Sequence, residues 1–340
     1  MFDIKSRFNA ALKDTVEEWK RHEKVKGIFV YGSFVRGTIT STSDLDLLVV
    51  WEDSEAPVQL ISEHMAVRVD VLFKSAKLID DILDGKVEDV LQIAELVEIL
   101  RNAQVVYDTN GSLSNWKKSA AGFLWPMEAI ETMKNRVELS LANAIRNTET
   151  DDTISAIHDL RTGLFDLGRV IVMKNNYFSI MKPSEILTEI RLLDPLAYQL
   201  FIRTFKLRGL EEDDLMIILE EIEQWIGIAM ERAGDGTADE YVMELINRVQ
   251  RGHHSATNCT LAGDIELAVL EMRRAIDDLG KVLIALSGKF EVDQTSFIQE
   301  LKESEPVYYE NILVQYGAFD FTAKGVLRGV NEARFIAQRL

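Results

Sequence analysis

Hydrophobic and polar positions change their period along this chain. Near the start, Phe8, Leu12, Val16 and Trp19 recur at helical spacing among mixed charges, which predicts an amphipathic first helix. Gly27 breaks that pattern, and the apolar run "GIFVYG" reads as a short buried strand. "DLDLLVVW" is a second strand and "AVRVDVLF" a third with partial alternation. Helical spacing returns between Lys74 and Ile99, and "AQVVYDTNGSL" adds a short strand closed by an Asn-Gly turn. Residues 1–113 are expected to form an α/β domain around a small mixed sheet.

From Trp116 onward the pattern becomes long helices, and it repeats. "NRV" at Asn135 returns at Asn247, 112 positions later. At the same offset "DLRTGLFDLGRVIVM" (159–173) aligns with "EMRRAIDDLGKVLIA" (271–285), matching Arg161 with Arg273, Asp166 with Asp278 and Gly168 with Gly280. One residue of slip then sets Pro195 on Pro306. A shared Asp-Leu-Gly and a shared Pro in order predict two tandem all-α bundles, 114–231 and 232–340, joined at "ERAGDGTADE" with Gly234 and Gly236. The expected fold class is thus α+β, a mixed-sheet head followed by two helical repeats.

Composition narrows the function. At 340 residues the chain exceeds one ordinary core. Its 38 basic and 56 acidic residues leave a net charge of −18, which argues against gripping long nucleic acid through phosphates. The one cysteine, Cys259, permits no internal disulfide, and no Cys/His spacing suits zinc. The first residues lack the apolar core of a signal peptide, and no apolar run approaches the roughly 18 to 20 residues of a membrane span. A cytoplasmic protein without a membrane anchor is the expectation.

The candidate chemistry lies in "YGSFVRGTITSTSDLDLLVV", residues 31–50. Asp44 and Asp46 are one residue apart in a strand, so both side chains project from one face. Two like charges in an apolar strand repel unless a cation neutralises them, and hard oxygen ligands favour Mg²⁺, with Mn²⁺ as the alternative. Asp70, in "VRVDVLF", completes a three-carboxylate site if its strand pairs beside the first. Ahead of them Gly32 allows a tight turn, and Ser33 opens a short helix whose N–H groups and hydroxyl suit phosphate. Phosphate acceptors beside paired carboxylates describe a site for in-line displacement at phosphorus.

Together, Gly32-Ser33, Arg36-Gly37-Thr38 and Ser43-Asp44-Leu45-Asp46, with Asp70 on a later strand, resemble the signature of the DNA polymerase β-like nucleotidyltransferase superfamily. The resemblance covers residues 28–73 and, in outline, the first 113. It implies that Gly32 and Ser33 hold a triphosphate, that Asp44 and Asp46 bind two metal ions, and that Asp70 coordinates the second ion and orients or deprotonates the acceptor hydroxyl. Arg36 would neutralise phosphate charge; Thr38 and Ser43 would shape turns. The implied reaction transfers a nucleoside monophosphate from ATP or another nucleoside triphosphate, releasing pyrophosphate.

A small head followed by helical bundles is similar both to antibiotic nucleotidyltransferases and to minimal nucleotidyltransferases of toxin–antitoxin pairs. The acceptor is accordingly expected to be a small molecule or a protein, and an acidic chain suits a cationic acceptor. Glu128 and Glu131, near the aromatic-rich "FLWPMEAIE", are candidate helper carboxylates against a reading as exposed helix residues. Template-independent RNA-extending enzymes share the head motif, but the locally basic segment here is the last helix, with Lys324, Arg328, Arg334 and Arg339. Arg248 and His253 in "RVQRGHHS" meet the spacing of an RNA-cleaving helical domain of the HEPN type, although "GHHS" also reads as a loop. His158 reads as a bundle histidine. Tandem bundles could mimic a dimer within one chain, and a homodimer of the whole chain stays open.

Overall fold

The structure is a computed structural model describing residues 4–40, 43–57, 59–234, 240–289 and 297–340. It divides into two compact units, Met1–Ala129 and Ile130–Leu340.

The first unit opens with α1 (Ile4–Trp19), then β1 (Val25–Tyr31), the short α2 (Gly32–Arg36) and β2 (Leu45–Trp51). It continues with β3 (Leu60–His64), β4 (Val67–Ser75), α3 (Ala76–Leu83), α4 (Val90–Asn102), β5 (Gln104–Asp108) and α5 (Ser112–Gly122). The five strands lie in the order β3-β4-β2-β1-β5. β2 pairs parallel with β4 and antiparallel with β1, while β3 and β5 close the edges antiparallel. The expected small mixed sheet is present, and its edge strand β3 is an element that the sequence pattern did not announce.

Strand alternation explains the core. Leu45, Leu47, Val49 and Trp51 of β2 face one side with Val67, Val69, Val71 and Phe73 of β4, and Phe8, Ala11, Leu12 and Val16 of α1 cover them. Leu48 and Val50 face the other side and are also fully buried. β2 therefore reads as an unbroken apolar run because it is buried on both faces. Asp46 is the exception, half-buried on the second face near the start of the strand.

The second region is helical. Its elements are α6 (Met127–Glu149), within which the division falls, α7 (Thr153–Lys174), α8 (Pro183–Leu193), α9 (Pro195–Thr204) and α10 (Glu212–Ala233). They are followed by α11 (Glu240–Leu261), α12 (Ile265–Leu286), α13 (Phe297–Ser304), α14 (Pro306–Tyr308), a π-helical turn (Tyr309–Val314), α15 (Gln315–Gly317) and α16 (Ala323–Ala337). Caps set several boundaries: Asp152 accepts the Ser155 N–H at 3.1 Å before α7, and Asp194 accepts from Leu196 and Ala197 before α9, with Pro195 at its first turn. Of the expected joint "ERAGDGTADE", residues 235–239 lie outside the described residues.

α7 and α12 are buried around most of their circumference and carry charges into the interior: Asp159, Arg161 and Asp166 in one, Glu271, Arg273 and Asp278 in the other. Arg161 donates to the carbonyls of Thr204 (3.0 Å), Gly317 (2.6 Å) and Ala318 (2.9 Å). Arg273 donates to those of Tyr316 (3.4 Å) and Lys206 (3.0 Å). Buried guanidinium groups are tolerated because their donors are satisfied by helix-end carbonyls that have no partner within their own helix.

Candidate active site

Strand register builds the site. In the parallel β2–β4 pair Asp46 stands opposite Asp70, and in the antiparallel β1–β2 pair it stands opposite Tyr31. Directly opposed residues share a face, so Asp46 and Asp70 sit on neighbouring strands about 4.8 Å apart in backbone and both look away from the α1 core. Asp44 precedes β2 with the same parity. Asp44, Asp46 and Asp70 are half-open, while their neighbours Leu45, Leu47, Val69 and Val71 are fully buried.

β1 ends at Tyr31, and the chain turns at Gly32 into α2. Gly32 has φ +72°, and a Cβ there would fall 1.9 Å from Asp46 Oδ2. The turn thus lies directly on the Asp46 carboxylate, at a distance only a glycine allows. Ser33 is half-buried in the first turn of α2; Arg36, at its end, is exposed. Gly37 closes α2 in the left-handed conformation, and Thr38 N–H donates to the Ser33 carbonyl at 3.0 Å. Ser43 Oγ accepts the Thr40 N–H at 2.9 Å just ahead of Asp44.

The carboxylates have further neighbours. Arg68 Nε lies 3.8 Å from Asp44 Oδ2, and Gln59 donates from Nε2 to Asp70 Oδ1. Arg68 shares a face with Asp70 through the two-residue period of β4, a signal present in "VRVDVLF" but not used in the sequence reading. Gln59 had no such signal, because it precedes the unannounced edge strand. Among the described residues, no three His, Cys, Asp or Glu side chains stand close enough together to hold a metal ion. The structure therefore brings Asp46, Asp70 and Gly32 together, with Asp44 engaged by Arg68.

Other candidates fall elsewhere. Glu128 is exposed, and Glu131 pairs with Lys134 at 3.0 Å. Trp125 is buried while Leu124 is 69% exposed. "GHHS" is not a loop: it lies within α11, because the helical period continues through it. Arg248 and His253, five residues apart on that helix, point about 140° away from each other. Arg248 pairs with Asp278 at 3.1 Å, and the His253 Nε2 lies 3.0 Å from the Leu219 carbonyl. Burial pushes the Cys259 thiol up to about 11, the setting of an inert cysteine. In the last helix Arg328 pairs with Glu332 and Arg334 with Glu138; just beyond it Arg339 pairs with Asp194. No described helix is long and apolar enough to cross a membrane.

Residues 12–108 match the family model of the nucleotidyltransferase domain. The chain carries a nucleotidyltransferase domain of the polymerase β-like kind at its N-terminus, and that domain marks it as a transferase. Among solved structures, it is similar to a nucleotidyltransferase-like protein from Exiguobacterium sibiricum, with 14% identity, a TM-score of 0.41 and 91% of each chain covered. No curated protein matches it.

Proposed function

We propose that the protein is a Mg²⁺-dependent nucleotidyltransferase that moves AMP from ATP to a hydroxyl of a small-molecule or protein acceptor. The acceptor oxygen forms a bond to the α-phosphorus, the bond to the bridging oxygen breaks, and pyrophosphate leaves. The observation that carries this reading is the register of Asp46 against Asp70 beside the Gly32 turn.

Two donors suit a divalent ion: Asp46 and Asp70 offer hard carboxylate oxygens on one face, while Asp44, engaged by Arg68, would have to turn from that partner to join them. When bound, such an ion supplies charge neutralisation at the phosphates. The chain's own groups supply the rest. Backbone N–H groups at Gly32 and Ser33, with the Ser33 hydroxyl, orient the triphosphate, and Arg36 reduces its charge. Asp70 orients the acceptor hydroxyl and takes its proton.

The helical region is read as two copies of one bundle, and matched irregularities support this. The positive-φ residues Asp151, Asn176 and Lys206 recur as Gly263, Gly288 and Ala318, each 112 positions later. Arg161 and Arg273 donate from Nε to Thr204 and Tyr316, again 112 apart. The packing is reciprocal as well: α10 lies against α11 and α12, and α16 lies against α7 and α9.

Label transfer from α-³²P-ATP with Mg²⁺, against a panel of small-molecule hydroxyls, tRNA and cell-extract protein, tests the reaction. Asp44→Asn and Asp46→Asn are expected to lower transfer by about 100- to 1,000-fold or more. Wild-type turnover in either variant would remove the site from this face of the sheet.

A further inference from the structure

An acidic chain encloses a basic pocket within its helical unit. A cavity of about 160 Å³ is walled by Arg136 of α6, His158, Asp166 and Arg169 of α7, and Arg274 and Lys281 of α12. Asp166 pairs with Arg136 at 3.2 Å and Arg169 at 2.8 Å. Behind the wall, Asp278 pairs with Arg274 at 3.2 Å, Lys281 at 3.1 Å and Arg248 at 3.1 Å. Among the described residues, these five cations thus share two carboxylates, and positive charge remains in excess even with the nearby Asp277 counted.

Burial makes this excess costly. Loss of water lowers the Lys281 ammonium below its ordinary value, with Arg274 adding to the push, and lowers the Arg169 guanidinium too. Arg169, Arg274 and Lys281 are partly buried while Arg136 and Arg248 stand open to solvent, and partly buried cations with further cations around them favour an anion. A second observation points the same way. His158 lines the cavity with a side chain 9% exposed, and its Nδ1 is buried without a hydrogen-bond partner. Asp159 Oδ1, 3.8 Å away, is beyond hydrogen-bond reach.

We propose that this cavity binds a small phosphorylated anion, held by Arg136, Arg169, Arg274 and Lys281 with His158 as a further donor. Guanidinium forks suit phosphoryl oxygens, and several cations suit a group of two or more negative charges. The volume sets the size. Drug-sized ligands need cavities from about 300 Å³ upward, so this one admits pyrophosphate or a phosphate on a small carrier. A polycation is repelled at this pocket.

The pocket lies wholly within the helical unit, so its occupancy does not depend on transfer at the head. Isothermal titration of the full chain with pyrophosphate and with ribose 5-phosphate tests it. EDTA and an Asp46→Asn background keep the head from contributing. Saturable binding of at least one probe is expected, weakened ten-fold or more by Arg136→Gln and by Lys281→Gln. Arg136 is the more exposed of the two and its variant is the safer for folding, which circular dichroism checks. No saturable heat with folded protein, undiminished affinity in both variants, or citrate binding as tightly as either phosphate probe would overturn the proposal. Selectivity between pyrophosphate and ribose 5-phosphate separates an inorganic from an organic ligand.

Discussion

At Gly32 the backbone must turn through φ +72° while passing the Asp46 carboxylate, and both demands exclude a side chain. An alanine there would carry left-handed strain of about 1–3 kcal/mol and would push Asp46 aside. Displacing a group of this kind by about 1 Å costs on the order of 100-fold in rate. Gly32→Ala is therefore expected to lower nucleotide transfer at least about 100-fold while far-UV circular dichroism stays native. Retained transfer would mean that the Asp46 position is not critical. The residue types of this site were legible in sequence, since Asp-x-Asp in an apolar strand and Gly-Ser after one are local patterns. The face-to-face placement of Asp46 and Asp70 was not. It depends on parallel pairing across the edge hairpin of β3 and β4, and β3 is exposed and short, without the alternation that announces a half-buried strand.

At the scale of elements, helix and strand existence followed the periods closely, because buried faces impose them. Departures came where tertiary structure decides. α14, the π-helical turn and α15 occupy the place of a single helix, and the reason lies in the count. Pro195 and Pro306 are 111 positions apart, whereas Thr204 and Tyr316, which receive Arg161 and Arg273, are 112 apart. A π turn holds one residue more than an α turn, so Tyr309–Val314 absorbs the difference. If the two bundles are copies, deleting the exposed Asn311 restores the α9 form and leaves Tm within about 3 °C. Deleting the exposed Gln199 from α9 has no extra residue to remove; it pulls the Thr204 carbonyl from Arg161 and is expected to lower Tm by about 10 °C, from unsatisfied buried groups worth about 1–3 kcal/mol each. Equal losses in the two deletions, read by thermal circular dichroism, would count against a shared design.

Over the whole molecule, charge is distributed against its own average. The chain carries −18, yet the centre of its helical unit is a cationic assembly anchored on Asp166 and Asp278. Sequence shows the total and even the matched aspartates, but not that α6, α7, α11 and α12 gather their arginines at one place, which is a property of packing. Burial alone would raise the Asp278 carboxyl; Arg274, Lys281 and Arg248 override it and hold it well below the ordinary carboxylate range. A carboxyl whose folded value is depressed contributes stability that is present above its unfolded value, about 3.9, and is lost as the pH falls toward the folded one. The wild-type helical unit should therefore lose stability steeply between about pH 5 and pH 2. Asp278→Asn removes that term and takes their buried partner from Arg274 and Lys281, each about one-third exposed, and from the exposed Arg248, at a cost of about 3 kcal/mol at pH 7. Its Tm is expected about 10 °C lower at pH 7 and nearer wild type at pH 3, with hydrogen exchange in α12 rising first. A Tm deficit that stays constant across that range would mean the variant fails through packing and that Asp278 does not anchor the charge of the unit.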